Sequence, residues 1–105
     1  VLRAPEPPRR LDILFLWGRN CPNCGIAKAE IARAPAWLRW PQVRWLQANV
    51  YDDPDLAILF GLHGIPVFLV FRSAHPSGRP VGRVTSWPGT EAFAAAIDRL
   101  LATPP

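Results

Sequence analysis

The chain has 105 residues and half of them are apolar, which is enough for one domain with a modest core and argues against disorder. Eleven arginines and one lysine against eight acids give a net charge of +4; the arginines are scattered, and no basic run interleaved with aromatics appears, so nucleic-acid binding has only charge to support it. The longest apolar run, IPVFLVF (65–71), is too short to span a bilayer. No apolar stretch follows a basic start, so these residues contain no recognisable secretory leader, and the compartment stays open between the cytoplasm and an exported form.

In chain order, residues 1–10 (VLRAPEPPRR) read as a proline- and arginine-rich lead-in, with the domain proper over 11–103. DILFLWG (12–18) is a short apolar run with aromatics, as in a strand buried on both faces of a parallel arrangement. CPNCGIAKAEIARA (21–34) predicts a helix. Cys24, Ala27, Ile31 and Ala34 share one face, Pro22 suits the first turn, and Pro35 and Pro41 force an end between Ala34 and Trp40. VRWLQANV (43–50) is a second strand. YDDPD (51–55) is a turn, with Asn49, Asp52 and Asp53 as its polar groups. Pro54 opens a short helix, LAILFGL, that Gly61 and Gly64 close.

PVFLVFR (66–72) is the most strand-like segment. SAHPSG (73–78) turns the chain, and RPVGRVTSW (79–87) returns as an antiparallel hairpin partner. TEAFAAAIDRLLA (90–102) predicts a final helix with Thr90 as N-cap and a stripe of Phe93, Ala96, Ile97, Leu100 and Leu101. The order βαβαββα makes a small α/β sandwich with right-handed parallel crossovers in its first half.

Cys21 and Cys24 are the only cysteines, two residues apart. A zinc or iron–sulfur site needs about four ligands, and His63 and His75 stand outside any metal-binding spacing; no resident metal is expected, although two thiols could hold copper(I) transiently. A staple closing so short a loop removes little unfolded-state entropy. A redox pair explains the context. Cys21 lies where a strand gives way to a helix, whose unpaired N–H groups favour thiolate, and Cys24, one turn on, can release a mixed disulfide. Among neighbouring residues, His63 is a candidate for tuning Cys21 or a plain solvated loop histidine. Lys28 either favours the thiolate or snorkels at the surface. Trp37, Trp40 and Trp45 read as packing around the second strand.

Trp17, Cys21 and Cys24 in a W-x-x-x-C-x-x-C pattern, with Gly64-Ile65-Pro66 before the hairpin strand, resemble the thioredoxin superfamily over roughly residues 12–102. The resemblance implies a thioredoxin-like fold: a four-stranded mixed sheet of order 2-1-3-4 with helices on both faces. It implies a thiol–disulfide oxidoreductase acting on protein substrates and another redox partner, a monomer without a bound cofactor. Cys21 would be the nucleophile and Cys24 the resolving thiol. Pro66 would be cis and face them, with Trp17, Pro22, Asn23, Ile65 and Pro66 along the substrate groove. Trp87 falls near a small groove-lining residue of the family, where its ring would restrict partners. The chain departs from the pattern at the family's buried acid, which aligns with Phe15, and at its partner lysine, which aligns with Gln47. Its inner dipeptide Pro22-Asn23 is closer to the proline-first dipeptides of glutaredoxins and periplasmic disulfide oxidases, but no glutathione-binding feature is recognisable. The alternatives are an exported, specialised reductase or oxidase serving cytochrome or metal-centre maturation, and a metal-handling or scaffold module on the same fold.

Overall fold

The computed structural model describes residues 11–33, 40–72 and 79–103. The elements are β1 (Leu11–Trp17), α1 (Pro22–Arg33), β2 (Val43–Asn49), α2 (Asp55–Leu59), β3 (Val67–Arg72), β4 (Gly82–Thr85) and α3 (Thr90–Ala102). They form one four-stranded sheet in the order β2-β1-β3-β4. β1 runs parallel to β2 and antiparallel to β3, which is antiparallel to β4. The expected fold class and strand order are those found. The lead-in (1–10), the end of the first helix beyond Arg33, Trp37 and the 73–78 turn with His75 lie outside the described residues.

Alternation along the strands splits the core in two. On one face Leu11, Ile13, Phe15, Phe68 and Val70 pack with Ala27 of α1, with Phe93 and Ile97 of α3, and with Trp87. Phe68 is the hub: its ring centroid lies 4.7 Å from that of Phe15, 4.8 Å from Phe93 and 5.6 Å from Trp87. Burial of each such side chain contributes roughly 1.5–3 kcal/mol, and ring pairs add about 0.5–1.5 kcal/mol each. On the other face Leu16, Val50, Val67 and Leu69 are buried beneath α2 and the segment after it, through Leu56, Phe60, Leu62 and Ile65. At the end of β1 remote from the first helix, Asp12 and Arg44 pair at 2.7 Å across the β1–β2 register. The hydrogen bond to Asp12, and then its charge, raises the Arg44 pKa above its ordinary value.

Two local expectations give way. Thr90 is not the N-cap of α3. That place is taken by Gly89 at φ 102°, with no side-chain cap, because the Thr90 hydroxyl donates instead to Glu30 Oε2 on α1 at 3.1 Å. The returning strand is shorter than 79–87. Pro80 offers no N–H to a ladder, and at the other end Ser86 turns to φ 65° while its N–H donates to Pro66 O at 2.8 Å. No helix among the described residues is long and apolar enough to cross a membrane.

Candidate functional site

The site is assembled where β1 hands over to α1. Trp17 ends β1, Gly18 to Asn20 reverse the chain with Asn20 at φ 57°, and α1 begins at Pro22. Asparagine is among the few non-glycine residues that take this left-handed conformation readily. Gly18 is required for a different reason. A Cβ there would lie 2.7 Å from both Ile65 Cδ1 and Tyr51 Cε2, so the bare backbone lets the loops after β2 and before β3 close against this turn. The end of β2 is held by Val50 N–H donating to Trp17 O at 2.8 Å. Asn49 organises the turn beyond it, its side chain accepting from Tyr51 N–H and its carbonyl from Asp52 and Asp53 N–H.

Cys21 is half-buried immediately before the helix, and Cys24, one turn inside it, is 2% exposed. The two are joined as a disulfide with Cα atoms 5.2 Å apart. The Cys24 N–H donates to Cys21 Sγ at 3.2 Å, so one of the helix's orphan donors is aimed at the more accessible sulfur. Ile65 O lies 3.8 Å from the same sulfur. In the disulfide this is a packing contact, since Sγ carries no proton; in the dithiol the carbonyl is an acceptor within reach of the thiol. The Ile65–Pro66 peptide is cis, and Pro66 is buried.

The other residues singled out in the sequence surround this pair unequally. Pro22 is exposed at the first helical position. Asn23 is half-buried and donates from Nδ2 to Ser86 Oγ at 2.7 Å. Trp17 donates from Nε1 to Gln47 Oε1 at 3.1 Å and carries Lys28 Nζ 2.9 Å above its ring, so Lys28 caps the indole rather than projecting freely. His63 is exposed and lies along a recess beyond Pro66. Phe15 is 5% exposed and stacked on Phe68; hydrocarbon packing fills its position. Trp87 is not a groove residue. It is 8% exposed, its ring belongs to the core, and its Nε1 donates to Glu30 Oε2 at 2.8 Å. Ser86, one residue earlier, is the residue on the groove side, and nothing in the local sequence announced it; only the β3–β4 register places it opposite Pro66 and within reach of Asn23. Tyr51, Arg83 and Glu30 were equally silent. Among the described residues no three histidine, cysteine or acidic side chains are gathered as a metal site.

No family model matches the chain, and no curated protein matches it. Solved structures do. A mutant thioredoxin of Halobacterium salinarum superposes with TM-score 0.72 at 16% identity, over 92% of this chain and 80% of that one. Mitochondrial thioredoxin 3 of Saccharomyces cerevisiae in its oxidised form gives 0.69 at 16%, over 87% and 79%. Thioredoxin-2 of the malaria parasite, described as a component of its protein secretion machinery, gives 0.71 at 13%, over 86% and 82%. The chain therefore has a thioredoxin-like fold.

Proposed function

We propose that the protein is a thiol–disulfide oxidoreductase that exchanges disulfides with protein substrates through Cys21 and Cys24 and needs no bound cofactor for that chemistry. The observation that carries this reading is the Cys24 N–H aimed at the half-buried Cys21 sulfur on the first turn of α1. A donor fixed there stabilises negative charge on sulfur, which is the nucleophilic form.

In the reducing direction the Cys21 thiolate attacks one sulfur of a substrate disulfide. A Cys21–substrate bond forms, the substrate S–S bond breaks, and the second substrate sulfur leaves as thiolate. Cys24 then loses its proton and attacks Cys21 Sγ, expelling the first substrate sulfur as thiolate. Two electrons have passed from the dithiol to the substrate, and the Cys21–Cys24 disulfide is the product. The oxidising direction is the same sequence reversed. The second attack is intramolecular, over a helical turn whose geometry already brings the sulfurs together. With Phe15 in place of a buried acid, the Cys24 proton passes to water or to the departing thiolate. Pro22, Asn23, Trp17, Ile65 and Pro66 form the walls against which a substrate chain lies, and the Ile65 carbonyl orients the Cys21 thiol.

Turnover of insulin disulfides in the presence of dithiothreitol tests the reading. Native protein accelerates it, Cys21→Ser abolishes the acceleration, and reduced Cys24→Ser incubated with insulin without dithiothreitol accumulates mixed disulfides. Equal rates for all three would end it.

A further inference from the structure

A recess of about 300 Å³ continues from the redox pair along the β3–β4 side of the sheet. It is lined by Ile65, whose carbonyl lies against Cys21 Sγ, and by Pro66. His63, Arg83, Thr85 and Ser86 also line it, and no lining residue is acidic. Arg83 is exposed, on the solvent edge strand of the sheet, and spends one N–H on Phe60 O. A guanidinium has five donors, so four remain for a ligand. Asp52, Asp53 and Asp55 are exposed at the start of α2, after β2, the opposite edge of the sheet. Arg19, over the Tyr51 ring, and Lys28, over Trp17, stand on that same side, so its charge is mixed, whereas the recess holds the Arg83 cation and no carboxylate.

Resting on the exchange activity proposed above, we propose that this recess selects substrate segments bearing an acidic side chain close to the reactive cysteine, its carboxylate received by Arg83 and His63. The spacing fits. An extended chain advances about 3.3 Å per residue, so a segment whose cysteine meets Cys21 and which crosses Pro66 brings a residue two or three positions away over the recess. A carboxylate there accepts charge-assisted hydrogen bonds from Arg83, whereas a lysine meets like charge. Complementary charge of this kind steers encounter and sets which way the segment lies in the groove.

The test uses pre-reduced protein in single turnovers with symmetric disulfides of a short synthetic peptide. Glutamate, glutamine or lysine stands two or three residues from its cysteine, on either side, and hydroxyethyl disulfide serves as a neutral reference. The glutamate peptide reacts fastest and the lysine peptide slowest, with a spread of up to about tenfold at low salt, the scale of one exposed ion pair gained by glutamate at Arg83 and one like-charge contact suffered by lysine. The spread falls to within about twofold in 1 M salt, where screening acts over about 3 Å, and in the Arg83→Gln/His63→Gln double variant. Arg83→Glu reverses the order. Equal rates for the three peptides with native protein, or a spread that survives the double variant, would overturn the recess while leaving exchange intact, since hydroxyethyl disulfide is still opened. Failure of native protein to open hydroxyethyl disulfide removes the exchange reading and this inference with it.

Discussion

Replacing Phe15 with alanine should cost about 4 kcal/mol of stability and leave the exchange chemistry largely in place. Phe15 is 5% exposed, and its ring stacks on Phe68 with centroids 4.7 Å apart and planes 9° apart. Truncating a buried phenylalanine costs about 3–5 kcal/mol, from lost transfer energy and the cavity left behind, and the stacked partner argues for the middle of that range or above. A domain of this size holds only about 5–15 kcal/mol in total, so alanine should lower the melting temperature by roughly 15–30 °C. Phe15→Leu keeps most of the volume and should cost less than about 1.5 kcal/mol. Guanidinium denaturation measures the stabilities, and opening of hydroxyethyl disulfide at low temperature measures the chemistry. The leucine variant should exchange within about twofold of native protein, because Phe15 has no proton to give or take. Two results would refute the reasoning: an alanine variant that loses less than about 1 kcal/mol, or a stable leucine variant whose exchange falls more than about tenfold.

Ser86 combines a left-handed backbone with a hydroxyl that accepts from Asn23. Ser86→Ala keeps the backbone cost and loses the bond, so it should destabilise by about 1 kcal/mol; Ser86→Gly also relieves the backbone, and should be the more stable of the two by roughly 1–2 kcal/mol, read from denaturation midpoints. An alanine variant as stable as the glycine one would contradict the backbone assignment. Glu30 accepts from both Trp87 and Thr90 and so ties α1 to the start of α3. Glu30→Gln keeps an acceptor oxygen and should be nearly neutral, whereas Glu30→Ala strands the buried indole N–H and should cost about 2 kcal/mol. Equal melting temperatures for the two variants would show that the bonds contribute nothing.

What the sequence disclosed and what it withheld divide along physical lines. Strand alternation and helical spacing act locally, and they located all seven elements: β3 begins within a residue of the run at 66–72, and α3 spans 90–102 as read. The strand–helix junction at Cys21 was legible for the same reason, since proline, cysteine spacing and the apolar run all act within a few residues. Contacts made only after folding were not legible. Thr90 looks like a cap in isolation, but Glu30, sixty residues away, competes for its hydroxyl. Trp87 looks like a groove residue until the β3–β4 register is known; the positive φ of Ser86 then turns the indole inward against Phe68 and Phe93. Arg83 gave no local sign at all, because its relevance depends on β4 being an edge strand beside Pro66.

Trapping is the sharpest probe of the chemistry at Cys21. Reduced Cys24→Ser protein is incubated with insulin, and covalent products are identified by mass spectrometry before and after dithiothreitol. A thiol-labile adduct is expected, joined through Cys21 and missing from the Cys21→Ser/Cys24→Ser double variant. An adduct that does not form, or that forms as readily without Cys21, would contradict that chemistry.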